Sequence, residues 1–93
     1  MKTKILHGIK VEIADTFFTR FRGLIGRKAP KKGCGILITK CNSIHTFFMS
    51  YPIDAIFLDG NDNVVRTVRR IKPWKLMVWG GVKAKKVIEV ASL

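Results

Sequence analysis

Acidic residues are scarce in this chain. Six Asp and Glu stand against eighteen Lys and Arg, a formal net charge of +12 over 93 residues. Residues 16–53 hold no acid, and neither do residues 63–88. Charge this one-sided argues for an anionic partner: nucleic acid, an anionic membrane surface or an acidic protein. Long apolar runs are missing too. Nothing approaches the roughly 18 consecutive apolar residues of a membrane-spanning helix, so no membrane insertion is expected. The segment "MKTKILHGIKVEIAD" has basic residues but lacks the apolar core of about 7–15 residues that marks a secretory signal, so a cytoplasmic location is expected. No repeat or low-complexity tract interrupts the chain.

Cysteine is also rare. Cys34 and Cys41 flank "GILITK". As a strand, seven steps of about 3.3 Å separate them by roughly 23 Å, far beyond the reach of a disulfide of about 7 Å. Their odd spacing points them to opposite faces. The same distance speaks against a shared zinc, which would need Cys34, Cys41, His7 and His45 together without any CxxC pair. No metal and no cofactor are expected. "FRGLIGRKAPKKG" is glycine-spaced and basic, but it lacks the GxxxxGK[ST] order of a phosphate-binding loop. "LDGNDNVV" lacks the ligand spacing of a calcium loop and reads as a hairpin turn, where Asp and Asn bond their own backbone.

What is present reads as one domain, residues 1–93, with 47% hydrophobic residues. "KILHGIKVEIA" alternates as a strand, with a turn or bulge at Gly8. Asp15 or Thr16 looks like a helix cap. Phe17, Phe21 and Leu24 then form an i, i+4, i+7 stripe that predicts a short amphipathic helix ending at Gly26. Gly23 inside that helix would mark a close backbone contact. "CGILITKC" reads as a strand and "IHTFFMSY" as a shorter extended piece. In that piece Phe47 and Met49 share a face, and Thr46, Phe48 and Ser50 share the other. "PIDAIFLD" and "VVRTVRRI" predict a hairpin over residues 53–71. "KPWKLMVWGG" is a loop, and "AKKVIEVASL" a final strand. The fold class expected is α+β: a small, curved, mostly antiparallel sheet of about five strands, barrel-like at its most closed, with one short amphipathic helix over an opening or edge.

At "GLIGR", "CNSIHTFFMSYPIDAIFLD" and "NVV" the chain resembles the family called domain of unknown function 192. The matching residues are Arg22, Gly23, Leu24 and Gly26, then Ser43, His45, Thr46, Phe48, Met49, Pro52, Ile53, Asp54, Phe57, Leu58 and Asp59. "KPW" and "VIEV" resemble later blocks. The resemblance covers nearly the whole chain and implies a small α+β domain with no assigned reaction. It also implies a further turn and strand beyond "VIEV".

Three functional classes follow, in order. The first is a small binding domain for an anionic ligand or partner, with Arg22, His45, Met49 and Asp54 as candidate ligand-binding residues. The second is a nucleic-acid-binding protein using Arg27, Lys28, Lys31 and Lys32. The third is an enzyme using Cys41, His45 and Asp54 as nucleophile, base and orienter. Beside each stands a purely structural role: a half-buried cysteine, a packed histidine, an aspartate capping the chain after Pro52, a solvated basic rim.

Overall fold

The computed structural model of the chain describes residues 2–92. In chain order these form β1 (Thr3–Leu6), β2 (Ile9–Ala14), α1 (Phe17–Arg22), β3 (Cys34–Ile38), β4 (Ser43–Ile44), β5 (Ile53–Leu58), β6 (Val64–Ile71), β7 (Val78–Trp79) and β8 (Lys86–Ala91). The protein is mostly β with one short helix. Six strands make a mixed sheet in the order β1-β2-β3-β8-β5-β6, and β4 pairs with β7 in a second, two-stranded sheet.

The first strand of the sequence reading is a hairpin, because His7 (φ 50°) and Gly8 (φ 78°) turn the chain between β1 and β2. Two successive positive φ angles are what a two-residue hairpin turn requires. Between β2 and β3 the pairing is parallel, with α1 in the crossover. All other pairings in the large sheet are antiparallel. The hairpin of β5 and β6 forms as expected, and its turn is held by Asp59 Oδ1, which accepts the amides of Asn61 (2.8 Å) and Asn63 (3.0 Å).

The sheet curls but does not close into a barrel. His7 Nε2, in the β1–β2 turn, lies 2.7 Å from the carbonyl oxygen of Asp62 in the β5–β6 turn, 55 residues away. Lys4 Nζ reaches the Asp62 carboxylate at 3.9 Å. The two edge strands thus approach through side chains at one corner, while no backbone ladder joins β1 to β6 among the described residues. Both edges carry cations, Lys4 on β1 and Arg66, Arg69 and Arg70 on β6, which discourages further strand pairing.

The helix is shorter than its sequence pattern. Thr16 caps it: its Oγ1 accepts the Thr19 amide at 3.1 Å, while Thr19 Oγ1 accepts the Thr16 amide at 3.1 Å. It stops at Gly23, not Gly26, because Gly23 takes φ 51° and ψ −123°. With fewer than two turns, the helix has no face long enough to bury a stripe. Phe17, Phe18 and Phe21 remain 84%, 67% and 68% exposed, and Leu24, just past the helix, does the packing instead.

Strand parity divides the core in two. Ile36, Ile38, Ile53, Ala55, Phe57 and Val87 face one side of the sheet, with Leu24, Ile44, Met49 and Ala84 packed over them. Val11, Leu37, Leu58 and Ile88 face the other. On the first side a Cβ on Gly80 would stand 2.2 Å from the buried Phe57 ring, so glycine is what lets the 72–85 loop close over that ring. Thr46 clasps the same loop. Its Oγ1 donates to the Lys72 carbonyl (2.6 Å) and accepts the Lys75 amide (2.8 Å). Its carbonyl accepts the Trp74 amide at 2.7 Å. Thr46 is therefore fully buried, although strand parity placed it with exposed Phe48. The chain leaves strand geometry at this point, and Phe48 itself takes φ 63°.

Candidate functional site

The Gly23 turn is where a site begins. In "KVIEVA", alternation along β8 puts Glu89 on the same face as Val87, beneath the end of α1. A Cβ at position 23 would lie 2.9 Å from Glu89 Oε1 and 3.4 Å from Ile38 Cδ1. Glycine therefore allows the helix end to sit directly on the carboxylate, and the positive φ of Gly23 turns the Leu24 amide toward it. Glu89 is only 4% exposed. Burial raises its pKa from the ordinary 4.5 to about 7, against the lowering effect of the Leu24 amide.

Glu89 lies in the wall of a cleft of about 210 Å³ between the end of α1, the β3–β4 connection and the 43–49 segment. The other walls are largely apolar: Phe21, Leu24, Ile25, Ile38, Ile44 and Met49. Arg20, Arg22, Cys41, Ser43 and His45 supply the polar groups. Arg20 is held by two backbone carbonyls, Thr39 (from Nε, 2.9 Å) and Lys40 (from Nη2, 2.9 Å), and so fastens α1 to the end of β3. Arg22 Nε donates to the Ile25 carbonyl at 3.1 Å, while the residue stays exposed at the rim. The His45 ring accepts the Phe47 amide at Nδ1 (3.2 Å), which leaves its proton on Nε2. It packs between Phe21 (centroids 6.4 Å) and Phe47 (5.3 Å).

Of the residues selected from sequence, Arg22, His45 and Met49 meet at this cleft, and Asp54 does not. Asp54 belongs to β5 but points to the other face of the sheet. Its Oδ1 accepts the Arg70 amide at 2.8 Å, and Arg69 lies 3.7 Å from Oδ2. Arg70 takes φ 53° where the β5–β6 register shifts, so Asp54 caps a β-bulge. The grouping of Cys41, His45 and Asp54 is thereby split. Cys41 itself is half-buried, and its Sγ donates to the Ser43 carbonyl at 3.1 Å. Burial, reinforced by the negative field of Glu89, pushes the thiol pKa up, the reverse of what a thiolate nucleophile needs. Cys34 and Cys41 are both free thiols.

The basic candidates occupy another region. Arg27 Nη2 pairs with Glu12 Oε2 at 2.8 Å, half-exposed. Arg27, Lys28 and Lys31 border a second cavity of about 310 Å³ beside β2 and Cys34, and Lys31 and Lys32 border a third. Among the described residues no cluster of three His, Cys, Asp or Glu could hold a metal ion, and no helix is long and apolar enough to cross a membrane.

Glu89 was not among the residues picked out from sequence. The signal was there: it is the only acid after Asp62, set in the apolar strand "VIEVA" in phase with Val87. What the strand alone does not show is that the glycine turn after α1 would cover it.

The profile of the DUF192 family, described as an uncharacterised ACR family, matches residues 1–92. The chain belongs to that family. It is 44% identical over 94 residues to a UPF0127 protein of Thermococcus sibiricus, covering 95% of this chain and 58% of that protein. It is 40% identical over 84 residues to a UPF0127 protein of Pyrococcus horikoshii, covering 86% of this chain and 70% of that one. Against the first of these the chain spans little more than half the relative's length. A crystal structure of a protein of unknown function from Novosphingobium aromaticivorans superposes with a TM-score of 0.79 over 99% of this chain and 82% of its own, at 14% identity. That likeness concerns the fold alone.

Proposed function

We propose that this DUF192 chain is a small ligand-binding domain whose site is the cleft under the end of α1. The observation that supports the reading is that Arg22, at the end of α1, meets His45 and Met49, from the 43–49 segment, at one apolar cleft of about 210 Å³. A concave apolar site with a few convergent polar groups is the usual form of a small-molecule pocket. In this reading the apolar walls hold the body of the ligand. Arg22, exposed at the rim of a chain with net charge +12, engages an anionic group. A thermal-shift screen of small carboxylates and phosphates tests it. A ligand present at about a hundredfold its Kd stabilises the fold by about 2.7 kcal/mol. Arg22→Ala should reduce that gain for anionic ligands. A screen in which no small anion raises the Tm counts against the reading.

A second reading, nucleic-acid binding, has its own support. The exposed aromatics Phe17, Phe18, Phe21, Phe48, Trp74 and Trp79 all fall within the two acid-free runs of the sequence. Phe48 and Trp74 pack edge to face at 4.9 Å, and Phe47 connects Trp74 to His45. Cations beside exposed rings are what single strands use for phosphate contact and base stacking. Affinity for a single-stranded oligonucleotide should fall steeply with salt, and the slope should flatten by about one for each phosphate-contacting Lys28, Lys31 or Lys32 changed to Ala. No binding at low salt removes this reading.

A further inference from the structure

With Thr46, Glu89 is one of two buried polar or charged residues among those described. It is a buried carboxylate in the wall of the cleft, and among the described residues it enters no ion pair. Two guanidinium groups share that wall, yet both are turned to backbone carbonyls: Arg20 to Thr39 and Lys40, Arg22 to Ile25. An ionised carboxylate can accept about four hydrogen bonds, and the Leu24 amide answers for one. An unpaired charge buried this deeply is costly unless something charged or donating meets it. Gly23 points the same way, since its missing side chain brings the helix end down to the carboxylate oxygen and thereby shapes the inner end of the cleft.

We infer that the inner end of the cleft is a cation-accepting subsite, in which a primary ammonium group of the ligand seats on the Glu89 carboxylate while its hydrocarbon lies against Ile38, Ile44 and Met49. This rests on the cleft being a ligand site and adds the chemical class of its inner contact. Together with Arg22 at the rim, it makes the fitting ligand a small amphoteric molecule, cationic at its inner end and anionic at its outer one. The net charge of +12 does not forbid this. Solution charges are screened beyond about 8 Å at physiological salt, whereas a desolvated carboxylate acts at contact distance with far less screening. Binding is coupled to the ionisation of Glu89, whose pKa near 7 means that an ammonium displaces its proton around neutrality. The other titratable or charged groups facing it are Cys41 and Tyr51, whose pKa values its charge helps to raise, together with His45, Arg20 and Arg22.

The test uses three probes of equal length, n-butylammonium, n-butanol and butyrate, titrated into the isotope-labelled chain at pH 6 and pH 8 and followed by NMR shifts of cleft residues. At pH 8 the ammonium should bind about tenfold more tightly than the alcohol, the difference between a charge-assisted and a neutral hydrogen bond. That preference should shrink at pH 6 and vanish in Glu89→Gln while weak butanol binding survives. If Glu89→Gln does not fold, the carboxyl carbon of Glu89 is titrated directly in the unaltered protein, where saturating butylammonium should lower its apparent pKa. Equal binding of ammonium and alcohol at pH 8, or an unmoved Glu89 titration, overturns the cation subsite and leaves the cleft standing as a binding site. Absence of any shift at cleft residues with all three probes overturns both.

Discussion

Asp54 and Glu89 sit one register step apart on neighbouring strands, and they live in opposite worlds. In the pairing of β5 with β8, Ala55 stands opposite Glu89 and Asp54 opposite Val90. Alternation then sends the two carboxylates to opposite faces of the sheet. On one face Asp54 finds a backbone donor, the Arg70 amide, with Arg69 nearby. On the other Glu89 is sealed under a glycine turn beside an apolar cleft. Asp54 belongs to the most recognisable block of the sequence and Glu89 to one of its plainest strands. A conspicuous motif can owe its polar residues to backbone geometry, while an isolated acid in a strand can be the one without a structural explanation.

The sharpest way to separate the two faces is pH. The folded pKa of Glu89, about 7, lies above its ordinary 4.5, so the folded chain retains a proton that the unfolded chain has already lost between those values. Its contribution to stability is complete below pH 4.5 and is lost as pH rises from there through about 7. The gap between the two values amounts to about 3 kcal/mol. Asp59 and Asp62 act in the other direction: their pKa values are lowered, the first by the Asn63 amide and the second by Lys86, so their contributions appear as pH rises out of the acid range. The informative quantity is therefore the difference in unfolding free energy between the unaltered chain and Glu89→Gln. Measured by urea denaturation from pH 4.5 to 8.5, it should change by about 3 kcal/mol against the unaltered chain. A difference that stays flat would mean that Glu89 is not buried as a near-neutral acid.

Much of this architecture was legible in the sequence, for reasons that differ from element to element. The β5–β6 hairpin was, because "DGNDN" encodes its turn locally and alternation encodes its strands. The helix cap was legible to within one residue, as Asp15 or Thr16, and Thr16 is the one that caps. The helix end was not, since Gly23 stops α1 for a tertiary reason, the approach of β8. Phe17 and Phe21 keep helical spacing, yet both stay largely exposed, and Phe21 meets the edge of the cleft at His45. The parallel pairing of β2 with β3 leaves no local mark on either strand. Arg22, His45 and Met49 were selected by motif and share one cleft, whereas Glu89 required knowing which strand lies in the middle of the sheet.

A second comparison sets Gly23 against the glycines in open turns. Gly8 and Gly26 also have positive φ, but a Cβ on either would meet nothing within 4 Å. Gly23→Ala combines backbone strain with contact against Glu89 Oε1, and should cost about 2 kcal/mol, twice or more the cost at Gly26. Glu89→Ala in the same chain removes the contact and leaves the φ strain. The double mutant should therefore recover part of the loss, a coupling that thermal and urea unfolding can resolve. Strict additivity would separate Gly23 from the carboxylate.

Asp54→Ala probes the opposite face. It deletes the acceptor of the Arg70 amide at the bulge and should cost about 1 kcal/mol. Binding of any cleft ligand should be unchanged. A loss of ligand affinity with the fold intact would bring Asp54 back into the site and break the contrast on which the two carboxylates were separated.

The smallest expected effect concerns the exposed helix. Phe18 is 67% exposed, and α1 buries none of its six residues, so Phe18→Ser should change the unfolding free energy by no more than about 0.5 kcal/mol. The same substitution also separates the helix surface from the cleft as candidate contact sites. If Phe18→Ser leaves the Tm alone and also leaves cleft-ligand binding alone, but lowers affinity for single-stranded oligonucleotides, the aromatic face and the cleft are separate surfaces. If instead the same substitution lowers the Tm by several degrees, the helix packs more closely than its exposure indicates. The contrast between a packed sheet and a largely exposed helix would then have to be redrawn with α1 on the side of the core.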